Sequence, residues 1–340
     1  PALALQFGYW CGHVLSDEGV VLIGMDSRES GVMLTSALTA GLTAAGREVW
    51  NLGLCPTPAI PDLIEKLGAA GGLMVSASHN PPQDNGIKVF GSNGAKLLPE
   101  QQKAIEAGLR GEQEKEVHMK TITSYGLAYQ RTNLLSVYQE KLINSLEGKR
   151  LDGLSIALDL CWGSATSCAV EIFKELGAEL TVLHGEPNGK LINVGCGSTE
   201  LKPIQKAVIE TNSIMGFAFD GDADRVLAVD GQGRIVDGDH VLYLWGSALK
   251  EQQALPDQRL VATVMSNLGF ERAWTEQGGV LNRTPVGDQH VHAAMIKSGA
   301  ALGGEQSGHI LSAIHGMHGD GLLTAIQLAN LCKDQEVSLS

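Results

Sequence analysis

Val20-Val21-Leu22-Ile23-Gly24-Met25-Asp26-Ser27-Arg28-Glu29-Ser30 is the stretch on which the fold reading turns. Val20 to Met25 is an apolar run of strand length. It ends in a small polar turn, Asp26–Ser30. A helical pattern follows near Val32–Ala45, and a second strand pattern runs from Glu48 to Leu52. The same order recurs downstream. Leu154 to Leu160 leads through Cys161–Ser164 into a helix reaching about Leu176, then a strand at Glu179–Leu183. Leu260 to Met265 leads through Ser266–Gly269 into a helix near Phe270–Gln277. Strands alternating with helices make βαβ units and largely parallel sheets. The expected class is therefore α/β, as three consecutive related domains with mixed, largely parallel sheets.

The first boundary is expected at the end of a polar stretch near 110–135, where Glu112, Glu114, Lys115 and Glu116 cluster. Asp230-Gly231 and Asp237-Gly238 read as turns bounding a short hairpin, with the second boundary beside them. The expected domains are 1–133, 134–237 and 238–340. Gly321 to Leu331 has helical periodicity.

Composition narrows the function. The 340 residues are 44% hydrophobic and 19% charged, enough to bury a core. A net charge of −13 argues against a broad nucleic-acid surface but leaves room for a small phosphorylated ligand in a locally basic pocket. No apolar run reaches the ~18–20 residues of a membrane span. Helix-like sequence follows Pro1 with no signal-peptide pattern, so a cytoplasmic location is expected. Cys11, Cys55, Cys161, Cys168, Cys196 and Cys332 include no C-x-x-C pair and read as buried, reduced thiols.

Three loops carry chemistry. Ser76-Ala77-Ser78-His79-Asn80-Pro81-Pro82 follows the apolar run Gly71–Val75, at the carboxyl end of a strand, where α/β ligand loops gather. Taken alone it reads equally well as an ordinary polar turn. Asp220-Gly221-Asp222-Ala223-Asp224-Arg225 sets three carboxylates among small residues between apolar flanks. In extended chain they project to one side, and crowded like charges call for a cation. All-oxygen ligands favour Mg²⁺ over zinc or copper. Arg225 and Gly231 stand where an EF-hand needs Gly and Glu, which excludes that motif. Gly303-Gly304-Glu305-Gln306-Ser307-Gly308-His309 offers donors, acceptors and a titratable ring suited to sugar hydroxyls, and equally reads as a glycine-rich turn. Arg28 could sit at a phosphate, or Ser30 could cap a helix. Lys88 points from a strand into the cleft of Ser78 or is a surface lysine. His315 and His318 lack the further ligands of a metal site. There is no P-loop, and no G-x-G-x-x-G opens a helix after a strand.

Together these loops resemble the α-D-phosphohexomutase superfamily, and within it the phosphoglucosamine mutase branch, over nearly the whole chain. The branch resemblance rests on Asp84-Asn85-Gly86-Ile87-Lys88, Val286-Gly287-Asp288, Gly303–His309 and Gly319-Asp320-Gly321-Leu322-Leu323. It implies a central cleft and a phosphoserine at Ser78. It implies one Mg²⁺ held by Asp220, Asp222, Asp224 and the Ser78 phosphate. Lys88 and His309 would be the acid/base pair, and Arg225 would assist at the phosphate. Glu305 and Ser307 would meet sugar hydroxyls, with His79, Arg28, Gly287 and Asp288 also contacting substrate. The implied reaction converts glucosamine 6-phosphate to the 1-phosphate through a sugar 1,6-bisphosphate. The implied partner is a small sugar phosphate, with no nucleic acid or membrane; a homodimer is compatible. The alternatives are phosphomannomutase or phosphoglucomutase activity, phosphatase activity, or a non-catalytic sugar-phosphate-binding relative. The sequence departs from the pattern at Ala223, where glycine is usual. The family's opening glycine- and arginine-containing segment and its fourth domain are not in this stretch, which reads as a trimmed piece.

Overall fold

The computed structural model describes residues 1–16, 18–112, 124–334 and 339; Glu114, Lys115 and Glu116 of the expected linker lie outside them. Three five-stranded sheets follow one another along the chain. The first unit runs α1 (Ala2–Val14), β1 (Val21–Met25), α2 (Gly31–Ala44), β2 (Val49–Leu54), α3 (Ala59–Leu67), β3 (Gly71–Val75), β4 (Ile87–Gly91), α4 (Pro99–Arg110) and β5 (Ala128–Gln130). The second runs α5 (Leu135–Asn144), β6 (Ser155–Asp159), α6 (Ala169–Glu175), β7 (Glu179–Leu183), α7 (Lys202–Thr211), β8 (Met215–Phe219), β9 (Val226–Asp230) and β10 (Ile235–Val236). The third runs α8 (Gly238–Glu251), β11 (Arg259–Thr263), α9 (Leu268–Glu276), β12 (Val280–Thr284), α10 (Asp288–Ser298), β13 (Leu302–Gly304), β14 (Ile310–Ser312), β15 (Gly316–Gly319) and α11 (Gly321–Asp334).

The strand orders are β4-β3-β1-β2-β5, β10-β9-β8-β6-β7 and β12-β11-β13-β14-β15. In each sheet the opening strand is interior and pairs in parallel with the next two: β1 with β2 and β3, β6 with β7 and β8, β11 with β12 and β13. The third parallel strand then turns back into an antiparallel one, β3 to β4, β8 to β9 and β13 to β14. β3 and β8 are buried along their whole length, as strands covered on both faces must be. One hydrophobic cluster joins the three units, running from Leu22 and Ile60 through Phe173 and Phe217 to Leu260 and Ile326. Among the described residues no helix is long and apolar enough to cross a membrane.

Two local expectations need correction. Asp237-Gly238 is not a hairpin turn: Asp237 is the N-cap of α8, its carboxylate accepting from the His240 N–H. The hairpin is closed by Asp230 alone, which accepts the N–H groups of Gln232 and Arg234. Ser30 occupies the N-cap position of α2 without a capping bond; its Oγ accepts from Asn85 instead.

Candidate active site

The three loops singled out in the sequence occupy equivalent positions, each joining the third parallel strand of its sheet to the antiparallel return. Repetition of one supersecondary plan thus aims three carboxyl-terminal strand ends at one place.

The first loop is held under strain. Ser78 has φ 51°, unusual for a residue with a side chain. Its N–H donates to Ser76 Oγ at 2.9 Å, and Ser76 Oγ–H donates to Asp26 at 2.7 Å. The Ser78 carbonyl accepts from Arg28 at 2.9 Å and from Asn193 at 2.8 Å, and the same two side chains hold the Asn80 carbonyl. Arg28 is buried, paired with Asp26 at 2.9 Å, and also donates to the carbonyls of Pro81 and Asp84. The structure therefore sets Arg28 beneath the loop, with its guanidinium committed to loop carbonyls, and not at a substrate phosphate.

Ser78 Oγ donates to Asp220 at 2.6 Å. Asp220, Asp222 and Asp224 are buried, and their oxygens gather within 4.8 Å of one another. They converge because the chain turns, not because it is extended: Ala223 N–H donates to the Asp220 carbonyl at 3.1 Å, and Ala223 has φ 57°. Lys88, on β4, lies among them, donating to Asp222 at 2.6 Å and Asp224 at 2.7 Å. Thr57 braces the same turn, its hydroxyl and N–H donating to the Asp222 carboxylate and carbonyl. Burial pushes the Asp220 carboxyl well above the usual range, and its two acidic neighbours add to this. At Asp224 burial acts the same way, but Lys88, His309 and Arg225 outweigh it and hold the carboxyl low. Burial opposes the Lys88 charge, yet Asp222 and Asp224 raise its proton affinity. Asp222 Oδ1 and Asp224 Oδ1 are buried without a hydrogen-bond partner. Such orphaned anionic oxygens in an all-oxygen set fit a hard divalent cation.

The third loop is a tight turn in which Glu305 N–H donates to the His309 carbonyl at 3.0 Å. Gly308, at φ 89°, comes so close to β9 that a Cβ would lie 2.1 Å from the Val226 carbonyl oxygen. Glu305 accepts from the Gly287 N–H at 3.0 Å, and Ser307 is exposed at the tip. His309 Nδ1 lies 3.7 Å from Asp224 and Nε2 lies 3.8 Å from Asp288. Asp288, at the start of α10, pairs with Lys96 at 2.5 Å. Arg225 Nε is 3.8 Å from Asp224, and His79 Nδ1 is 3.4 Å from Ser78 Oγ. Burial, then Arg225, lowers the His79 pKa. Lys88, Asp224, Asp288 and His309 face a cleft of about 970 Å³. His315 packs on Trp245, whereas His318 also lines this cleft, 3.1 Å from Asp62.

The chain matches the phosphoglucomutase/phosphomannomutase family, alpha/beta/alpha domain I over residues 1–116, domain II over 136–233 and domain III over 237–340. It is 73% identical over 339 residues to a phosphoglucosamine mutase of Prochlorococcus marinus, covering 100% of this chain and 72% of that protein. The chain belongs to the phosphoglucosamine mutase branch of that family. Membership makes it an isomerase, an intramolecular phosphotransferase. A phosphoglucomutase/phosphomannomutase family protein from Burkholderia thailandensis superposes with a TM-score of 0.84 at 27% identity, over 97% of this chain and 72% of that one. An Aspergillus fumigatus N-acetylphosphoglucosamine mutase, in complex with GlcNAc-6P and magnesium, shares the fold at a TM-score of 0.61 and 17% identity, over 95% and 65% of the two chains.

Asp26, Thr57 and Asn193 escaped the sequence reading. Each lies at the end of a strand or in a connecting loop, and Thr57 and Asn193 stand in stretches with no chemical motif of their own. Asp26 alone carried a signal, as the first polar residue after β1.

Proposed function

We propose that the chain interconverts glucosamine 6-phosphate and glucosamine 1-phosphate through a phosphoserine at Ser78. The observation that carries this reading is the Ser78 hydroxyl 2.6 Å from Asp220, at the edge of a buried carboxylate triad. The 73% identical phosphoglucosamine mutase favours the amino-sugar reading over glucose or mannose phosphates.

The Ser78 phosphate passes to the free hydroxyl of the sugar phosphate, giving a 1,6-bisphosphate. After that molecule reorients, its other phosphate returns to Ser78. Asp220, Asp222, Asp224 and the Ser78 phosphate would hold Mg²⁺, which supplies positive charge against the transferring phosphoryl group. Lys88 and His309, both close to Asp224, would move the hydroxyl proton. Arg225 meets phosphate. Glu305, Ser307, Gly287, Asp288 and His79 face the sugar, and their polar groups accept either orientation of a ring that must present O1 and O6 in turn. Arg28 acts through the loop. The working units are 1–133, 134–237 and 238–340, and the setting is cytoplasmic, in keeping with six buried free thiols.

Phosphorus NMR with Mg²⁺, a catalytic amount of sugar 1,6-bisphosphate, and glucosamine-, glucose- or mannose-6-phosphate tests this. The expected result is preferential formation of glucosamine 1-phosphate, lost on the order of 10³-fold or more in a folded Ser78→Ala variant. Preference for another hexose would overturn the substrate; undiminished turnover by Ser78→Ala would overturn the phosphoserine.

A further inference from the structure

Behind the phosphoserine loop lies a pair of thiols that the proposed reaction does not use. Cys161 follows β6 and Cys196 precedes Gly197; both are fully buried, and their Sγ atoms are 3.8 Å apart. Cys161 Sγ–H donates to Asn193 Oδ1 at 3.0 Å. Asn193 Nδ2 donates in turn to the carbonyls of Ser78 at 2.8 Å and Asn80 at 3.0 Å. The Cys161 loop also supports the acidic turn. Ser164 N–H donates to the Gly221 carbonyl at 2.8 Å, and a Cβ on Gly163 would lie 2.4 Å from that oxygen. Cys161, Trp162 and Asn193 all hold left-handed backbone, at φ 57°, 55° and 61°. At Cys161 and Trp162 this costs about 1–2 kcal/mol each, so the segment stays in place only while its surroundings hold it. The thiol pair thus touches the supports of both catalytic loops.

We propose that Cys161 and Cys196 form a reversible disulfide, with a hydroperoxide as oxidant, and that closing it withdraws the Cys161 thiol from Asn193 and loosens the Ser78 loop. A disulfide needs its sulfurs about 2.0 Å apart, so closing the bond must draw the two segments or their side chains together from the 3.8 Å observed. The Cys196 sulfur attacks a peroxide oxygen, the O–O bond breaks, and a sulfenic acid and one water (or alcohol) result. The Cys161 sulfur then attacks that sulfur, the S–O bond breaks, and the hydroxide leaves as water with the Cys161 proton. Two thiols lose two electrons, and one peroxide gains them. A dithiol reverses the bond by exchange.

The surroundings assign the two roles. The contact with the Cys161 sulfur lowers the Cys196 pKa against burial, and His184 adds to this. His184 is itself favoured as a cation by its 2.8 Å contact with Asp159. The bond to Cys196, then burial, pushes Cys161 up. A low thiol that attacks and a high thiol that resolves is the usual division in such pairs. Asp159, His184 and Cys196 lie together as a ligand set would, but the Asp159 oxygens already accept the Cys161 and Gly197 N–H groups, both at 3.0 Å.

The test is independent of turnover. The full chain is treated with hydrogen peroxide, its thiols are mapped by alkylation and peptide mass spectrometry, and amide hydrogen exchange is followed in parallel. The expected result is a linked Cys161–Cys196 peptide, loss of two of the six free thiols, and exchange at Ser78 and Asn80 faster by about tenfold or more. Dithiothreitol should reverse all three. Cys161→Ser, which keeps a donor for Asn193, should exchange like the reduced protein, and under peroxide should oxidise at Cys196 without a linked peptide or faster exchange at the loop. Persistence of all six thiols under peroxide, a linked pair with unchanged exchange at the loop, or the same loosening in Cys161→Ser would each overturn the proposal.

Discussion

Gly319 shows how little room the site leaves around a single residue. A Cβ built there would lie 2.2 Å from His309 Cε1 and 2.3 Å from Nε2, so the imidazole lies flat against bare backbone. The glycine is not needed for its own conformation, since its φ lies outside the left-handed region; it is needed for the ring beside it. Gly319→Ala must therefore push His309 away from Asp224 and Asp288. Misplacing a proton-transfer group by about 1 Å can cost on the order of 10²-fold in rate. The expected outcome is kcat lower by about ten- to a hundredfold, with KM for the sugar phosphate changed far less. Steady-state kinetics beside a thermal melt checks it; unchanged kcat in a folded variant would remove His309 from the proton-transfer role.

At the scale of elements, the serine loop depends on one buried cation. Arg28 is linked to four carbonyls of the 78–84 segment, and among the described residues its carboxylate partner is Asp26. Arg28→Met removes every one of those donors and leaves Asp26 buried with Ser76 as its remaining side-chain partner. Breaking a buried pair from one side costs about 3–5 kcal/mol. The denaturation midpoint should fall accordingly, and the loop between β3 and β4 should become the first site of limited proteolysis. The sequence showed where this loop sits, because an apolar run ending in small polar residues marks a strand's carboxyl end. It showed the three units for the same reason, each opening on a run such as Val20–Met25. The role of Arg28 was not legible. A guanidinium that contacts a phosphate and one that holds carbonyls have the same sequence signature, and only the return of β4 beside β3 decides between them. The acidic loop was legible in its chemistry and misread in its geometry. Three aspartates announce a cation, whereas the turn at Ala223 depends on contacts with α11, whose Gly321 N–H donates to the Ala223 carbonyl at 3.0 Å. Asn193 was invisible because its partners, Ser78 and Cys161, are 115 and 32 residues away.

Over the whole molecule, a second charged network ties the three units together. Lys141 of α5 donates to Asp62 of α3, and His318 of β15 lies 3.1 Å from the same carboxylate. Tyr138 of α5 donates to Asp320, ahead of α11, at 3.0 and 3.1 Å, and the Leu323 N–H donates to Asp320 at 2.9 Å. Burial, with Asp62 adding to it, pushes the Asp320 carboxyl from 3.8 up to about 6, against the Leu323 N–H, His318 and Lys141. A carboxyl whose folded pKa lies above its unfolded one favours folding while protonated. Its contribution is full below pH 3.8 and is lost as pH rises through about 6. Other carboxylates, Asp62 among them, titrate in the opposite sense, so total stability against pH will not isolate Asp320. A comparison with Asp320→Asn will, because the amide oxygen still accepts from Tyr138 and Leu323 but does not titrate. Between pH 7 and pH 4 the wild-type chain should gain about 2 kcal/mol relative to Asp320→Asn, as a two-unit separation of pKa values requires. Urea denaturation of both proteins at the two pH values measures this difference directly. A constant difference would mean that Asp320 is already ionised at pH 4 in the folded protein, and that the junction holds its negative charge with Lys141 and His318 as effective counter-ions.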